Sequence, residues 1–518
     1  MKKKTKNSTI QNYIVALYLF IMFCIYPLYV KDGYYNISGD KALFLIYTVM
    51  AASGVFVLFL IVECCKKFSK KKRHDTFLIP WKDISISEKL LLLYMAFMLV
   101  AYLCSGNMAE LLWGTTGWFL GFGTLLLLFT TVFMISRLWD GKEWILYGAI
   151  VVSALVFMLG VCNRFSFYPV VIEPVFQTLI STIGNINWFC GYLAVIAPIG
   201  VGMFIFSETE RNKKPVKKYL LGAYAVLTFV TGFAQGSDSV FLWFGAFFFF
   251  MLWVALEKQT GLKNWLLLLI MWALSAQIIR VLKYLMPERY NYIDIFLTDN
   301  SLTIWIAVLA VAAYIGLSMT VWKSGGFELQ SKGKKIIRIS MIAALVAAIG
   351  LWLGISIYNT NVGIPILEDN NLFVLDESWG TDRGANMKAS LIIYSEMSWW
   401  QKLIGVGPDG FNHFAYSNPV SANYLLGYYN DGELTNAHCE LLTNLVNAGI
   451  LGLLTYVGIF VTFIVRCMKR GKEKPVLFLF AACVICYFVH NMVSFAQVMN
   501  FPFLFLILGL GEKYLYEK

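Results

Sequence analysis

Charge is what this sequence has least of. Only 14% of its 518 residues are Asp, Glu, Lys or Arg, while 59% are apolar; soluble domains carry about a quarter charged residues. That scarcity excludes an ordinary water-soluble domain and makes a membrane protein the expectation. Histidine is scarcer still, with four in the whole chain. No small-residue cleavage site follows the first apolar stretch, so that stretch reads as a retained span rather than a secretory signal. No obvious repeat relates the two halves, which disfavours transporters assembled from internal repeats. The ten cysteines sit mostly inside apolar runs, where they behave as small hydrophobes, and "CVIC" at 483–486 carries little weight as a redox or metal pair.

What is present is a succession of apolar runs. A helix needs about 20 such residues to cross the hydrocarbon, and about 14 runs approach that length, from residues 11–30 to a short last one at 500–512. The expected fold is all-α, a polytopic membrane bundle. Residues 1–357 would hold the first eleven helices, 358–437 one large extracytoplasmic loop, and 438–518 the last three. Lysine and arginine are retained on the cytoplasmic side. With the amino terminus inside, "MKKKTKN", "CCKKFSKKKRHD", "ERNKKPVKK", "KSGGFELQSKGKK" and "CMKRGKEK" all fall on that side, and both termini are cytoplasmic. The net charge of +11 then needs no nucleic acid, because basic loops serve topology and contact with anionic lipid.

The loop at 358–437 is acidic, with nine Asp and Glu against three Lys and Arg. Trp379, Trp399, Trp400 and a glycine-rich turn favour an ordered segment. Within it, "MKASLIIYSEMSWWQKLIG" has helical apolar spacing and predicts one amphipathic helix lying along the membrane surface.

Polar groups at membrane depth are candidate functional groups. In "STIGNINWFCGYL", Asn185 and Asn187 sit at the outer mouth of the sixth span, where asparagine also caps helices. In "AQGSDSVF", a tight external hairpin leaves Asp238 near the interface, where a solvated turn aspartate is the plain alternative. "WGTDRGANMKAS" and "LIGVGPDGF" bring Arg383 and Lys388 beside Gly405, Gly407, Asp409 and Gly410. A guanidinium suits phosphate oxygens, and glycine lets backbone N–H groups approach an anion. The competing reading pairs Arg383 with Asp382 or Asp376. In "NAHCELLTNLVNAGI", Thr435 or Asn436 is the expected helix cap, His438 lies in the first turn, and Glu440, Asn444 and Asn447 form a polar stripe from which His438 points away. An imidazole there can accept a proton from an attacking hydroxyl.

Taken in order, "STIGNINWFCGYLAVIAPIG", "GTDRGANMKASLIIYSEMSWWQKLIGVGPDGF", "NAHCELLTNLVNAGILGLLTYVGIF" and "HNMVSFAQVMNFPFLFLILGLG" resemble the O-antigen ligase and O-antigen polymerase family over about residues 180–512. The resemblance implies a metal-independent, inverting glycosyltransferase without a cofactor. Its partners would be an undecaprenyl-diphosphate-linked glycan donor and a glycan or cell-surface acceptor, meeting at the outer face of the cytoplasmic (inner) membrane. It implies that Arg383 engages the diphosphate and His438 activates the acceptor hydroxyl. Lys388, Gly405, Gly407, Asp409, Asn187, Asp238 and Glu440 are then the expected substrate contacts. Two departures stand out. "GSDS" puts Asp238 where the family often has arginine, with Arg164, Arg280 and Arg289 as candidate replacements; Cys439 follows the histidine where asparagine is common. Ligase and polymerase remain open alternatives. The alternative class is a lipid-linked oligosaccharide flippase or another polytopic transporter. Few charges within the spans, and polar residues gathered on one face, favour surface chemistry over a charged transport cavity.

Overall fold

Backbone N–H and C=O groups in lipid find no water, so an apolar chain must satisfy them within helices. A computed structural model describes residues 9–69, 81–114, 118–207, 215–291, 296–324, 330–368, 370–430 and 433–517. The amino-terminal basic tail and parts of three basic loops, residues 70–80, 208–214 and 325–329, lie outside the described residues. The described chain is almost entirely helical: α1 (Thr9–Phe20), α2 (Ile37–Ser69), α3 (Ile86–Leu103), α4 (Met108–Leu111), α5 (Phe122–Leu138), α6 (Trp144–Arg164), α7 (Ile186–Phe206), α8 (Val216–Ala234), α9 (Val240–Ala255), α10 (Gln259–Leu285), α11 (Phe296–Asp299), α12 (Leu302–Ser324), α13 (Ser331–Val362), α14 (Trp379–Glu396), α15 (Trp399–Ile404), α16 (Phe411–Ser417), α17 (Pro419–Tyr429), α18 (Glu440–Arg470), α19 (Val476–His490) and α20 (Phe501–Tyr516). A two-residue antiparallel pair, β1 (Leu179–Ile180) with β2 (Gly184–Asn185), leads into α7 in the register Leu179 to Asn185.

Nine helices among the described residues are long and apolar enough to cross a membrane, and α5, α9 and α19 are shorter apolar helices. At the centre stands α7, apolar on every side and almost wholly buried, as a helix without a polar face must be. It packs against α6, α8, α9, α10 and α19, while α20 lies between α5 and α19. One continuous apolar core runs from Val15 of α1 to Leu515 of α20. α18 is interrupted at Gly449, and the stretch beyond it is about 32 Å long, close to the ~30 Å hydrocarbon layer. Lys469 and Arg470 therefore lie far from Glu440.

Near that distant end, a buried charged layer ties four helices together. Glu88 of α3 pairs with Arg137 of α5 at 2.9 Å, and Glu512 of α20 pairs with Arg466 of α18. Ser87 donates to Glu512 at 2.5 Å. Glu88 also closes a capping box with Ser85, which fixes where α3 begins.

Around the other end of α18, helices α14 to α17 form a second, smaller core. Ala389, Ile393, Phe411, Ala415 and Leu425 pack there with Ala437, Cys439 and Val446. The single surface helix expected over 387–405 is two helices. α14 stops at Glu396, and Ser398 with Gln401 makes a capping box that starts α15 in a new direction.

Candidate functional site

The position of His438 follows from its neighbours. Ala437 and Cys439 are buried in the second core, so the backbone is anchored on both sides of the histidine. Asn436 Oδ1 accepts from the His438 N–H at 2.8 Å, and Thr443 Oγ1 accepts from the Ala437 N–H at 3.1 Å. These bonds bend the chain through a left-handed residue: His438 has φ +49°. The histidine thus precedes α18, which begins at Glu440 with Cys439 as its cap, and does not lie in the first turn as the sequence suggested. Its half-buried ring meets Phe495 edge to face, 5.0 Å between centroids. Phe495 also packs on Trp118, whose Nε1 donates to Thr435 at 2.7 Å and whose ring meets Trp188. Burial, then the nearby positive charge of Arg383, pushes the His438 pKa down to about 4. The imidazole is neutral at physiological pH, and among the described residues neither ring nitrogen has a hydrogen-bond partner.

Arg383 reaches the same loop from α14. Its Nε donates to the Val493 carbonyl at 2.8 Å and Nη1 donates to Gly380 O. Val493 and Phe495 belong to one short connection between α19 and α20, so the guanidinium and the imidazole meet the same segment two residues apart. Gly380, Thr381 and Asp382 are all left-handed, which turns the chain sharply just before Arg383. Asp382 accepts instead from Tyr428 at 2.8 Å, and Asp376 caps Ser378, so neither forms the ion pair entertained from the sequence. Arg383 Nη2 has no partner among the described residues.

Asp238 lies within electrostatic reach of Arg383 without a direct ion pair. Loss of water around the carboxylate raises its pKa despite the opposing pull of that guanidinium. Its hairpin is held by Ser237, which donates to Asn187 Oδ1 at 2.8 Å, while Asn187 N–H donates to the cap residue Asn185 at 2.8 Å. Asn187 therefore joins the start of α7 to the hairpin. Arg164 does not replace the family arginine. It is fully buried, and its donors hold the carbonyls of Ala234 at 2.7 Å, Gln235 at 2.6 Å and Gln177 at 3.1 Å. Arg280 and Arg289 are exposed on the surface.

Gly405 and Gly407 do not form the anion cradle expected of them. Val406 N–H donates to Val446 O at 3.1 Å, Gly407 N–H to Asn447 O at 3.0 Å, and Gly405 N–H to Gln401 O at 2.6 Å. Those α18 carbonyls face outward because Gly449 kinks the helix with φ +65°. The contact is backbone on backbone: a Cβ on Gly405 would fall 2.1 Å from Asn447 O, and one on Gly449 would fall 2.4 Å from Leu403 O. Asp409, left-handed at φ +60°, packs against Gly114 of the α4–α5 connection. Lys388 is tied to Glu377 at 2.5 Å and lies over the Tyr424 ring, so its charge is engaged locally. Glu440 points into the bundle, where Tyr456, Tyr487 and Asn491 all donate to its carboxylate. Of the expected residues, Arg383 lies within electrostatic reach of His438 and Asp238, and Asn187 bonds the hairpin that carries Asp238; Lys388, Gly405, Gly407, Asp409 and Glu440 hold the surrounding structure. Trp118, Trp188, Val493 and Phe495 were not singled out from the sequence.

No protein-family model and no curated protein matches this chain. The fold itself defines the class: an all-helical, multi-pass membrane protein.

Proposed function

We propose that the protein is a glycosyltransferase that moves or polymerises glycan from an undecaprenyl-diphosphate-linked donor onto an acceptor hydroxyl. The observation that carries this reading is the convergence of Arg383, bonded to the Val493 carbonyl, and a neutral, unbonded His438, packed on Phe495, on the same short segment, with Trp118 and Trp188 packed beyond Phe495. In this reading about 14 helices cross the inner membrane, both termini are cytoplasmic, and residues 358–437 lie on the outer face with the site. The acceptor oxygen attacks the anomeric carbon and its proton passes to His438. The bond from that carbon to the diphosphate oxygen breaks with inversion, and undecaprenyl diphosphate leaves with the electron pair. The leaving group is already anionic, so it needs a cation more than an acid, and the free Nη2 edge of Arg383 offers one. Asp238 lies within electrostatic reach of Arg383, and in this reading it would repel a second anion and direct an acceptor hydroxyl. No step needs a protein-bound metal.

The test is protein reconstituted in lipid with donor and acceptor, products read by mass spectrometry. Arg383→Ala and His438→Ala are expected to fold and to lose roughly 100- to 1,000-fold in rate, about 3 to 4 kcal/mol of barrier. Normal glycan transfer by both variants would refute the assignment. Donor crossing the bilayer without new bonds would show a flippase instead.

A further inference from the structure

A basic recess lies away from the site just described. A cavity of about 700 Å³ opens between the end of α9, the start of α13 and the α18–α19 turn, lined by Trp253, Glu257, Lys334, Lys335, Arg338 and Lys472, with Ile339 and Ile342 above them. Four cations face one carboxylate. Glu257 holds Arg338 at 2.8 Å, Lys472 at 3.1 Å and Lys334 at 3.5 Å. Burial works to raise the Glu257 pKa, but hydrogen bonds and charge from Arg338 and Lys472 prevail and hold it at about 2. A single permanent negative charge thus keeps the cations grouped without neutralising them. Arg338 also stacks over Trp253, 4.9 Å from the ring centroid, and donates to Trp253 O at 2.9 Å.

Above these charges α13 stands apart from the bundle. No residue of its apolar window is buried, and Ile336, Ile339, Ile342 and Val346 are 46 to 63% exposed. The cavity is therefore basic at one end and continuous with an uncovered apolar helix at the other. A soluble anion matches only the first half of that surface. We infer that this cavity binds an anionic phospholipid, its phosphates among Lys334, Lys335, Arg338 and Lys472 and its acyl chains along α13. The excess of cations over Glu257 suits a headgroup with two phosphodiesters better than one. Basic recesses between membrane helices hold anionic headgroups for the same reason.

The test uses detergent-purified full-length chain, titrated with cardiolipin, a two-phosphodiester lipid, and read by native mass spectrometry. The expected result is one tightly retained lipid per chain, bound about 25-fold more weakly by the Lys335→Gln/Lys472→Gln double variant, since each cation near an anionic surface is worth roughly a factor of five. Both lysines are surface residues, and an unchanged gel-filtration profile checks the fold. Lys332→Gln removes one charge from α13 outside the cavity and is expected to leave binding unchanged. A loss of about fivefold in Lys332→Gln, the share of one charge, would reduce the effect to general surface charge and overturn the proposal. Displacement of the lipid by glycerol phosphate at matched phosphate concentration would assign the cavity to a soluble anion and overturn it as well.

Discussion

The most direct prediction concerns the charge of His438. In water an imidazole with pKa 6.5 is about three-quarters protonated at pH 6, whereas one at about 4 is only about 1% protonated. Histidine-labelled protein in lipid, followed by NMR as the pH is lowered, is expected to show His438 neutral at pH 6 and titrating near 4, with His438→Gln assigning the signal. The sign follows from linkage. Between pH 6.5 and 4 the unfolded chain binds the extra proton, so stability rises with pH across that window. The contribution is complete above 6.5 and is lost as pH falls through about 4; it amounts to roughly 3 kcal/mol at 1.36 kcal/mol per unit. Burial is the larger cause and Arg383 the second. Arg383→Gln is therefore expected to move the midpoint upward while leaving it below 6.5. If the proposed chemistry holds, the acid limb of kcat/KM falls near 4, and the limb of kcat lies higher, because a bound diphosphate offsets the Arg383 charge. A midpoint of 6.5 in the unaltered protein, or one indifferent to Arg383→Gln, would refute the placement of these two groups.

Three further outcomes follow from the packing. Gly405→Ala and Gly449→Ala each force a side chain into left-handed backbone, about 1 to 2 kcal/mol before any clash, and are expected to lower the melting temperature clearly; Gly427→Ala, whose Cβ would meet open space, should change stability by under about 0.5 kcal/mol. Glu440→Leu strands the donors of Tyr456, Tyr487 and Asn491 at about 1 to 3 kcal/mol apiece, so it should unfold the chain in denaturant titrations where Glu440→Gln, which keeps an acceptor oxygen, stays folded. Glu88→Ala leaves Arg137 buried without its ion-pair partner and should cost about 3 to 5 kcal/mol, much of it regained in Glu88→Met/Arg137→Leu.

What the sequence made legible was contrast. Asn187, Asp238, Arg383 and His438 stand out because each interrupts or borders an apolar run; the structure puts His438 and Asp238 within electrostatic reach of Arg383 and bonds Asn187 to the Asp238 hairpin. The break between α14 and α15 was also written locally, in the Ser398 and Gln401 capping pair, but helical periodicity across 387–405 masked it. Other features had no local signature. Gly405 and Gly407 look alike whether their loop faces an anion or a helix; what decides is a carbonyl freed by Gly449, far along the chain. The Val493 carbonyl that receives Arg383 is a group every residue carries, so no residue type announces it. Arg164 was legible as a cation near the outer end of a helix, but its buried hydrogen bonds to the Ala234 and Gln235 carbonyls depend on where α8 ends.

The distribution of backbone strain links the second core to the site. Thr381, Asp382, Asp409, Asn430 and His438 have positive φ without being glycine, each at a cost of about 1 to 3 kcal/mol. An isolated loop would relax such angles. Here the strained residues lie between elements fixed by packing: Ala389 and Ile393 hold α14, Phe411 and Ala415 hold α16, and Ala437 and Cys439 flank the histidine. Burying an aliphatic or aromatic side chain contributes about 1.5 to 3 kcal/mol, so a core of this size is sufficient to keep the turns bent. It follows that the site geometry depends on the α14–α17 core more than on the membrane helices, and that Arg383 and His438 keep their relation only while both ends of that core remain docked on α18.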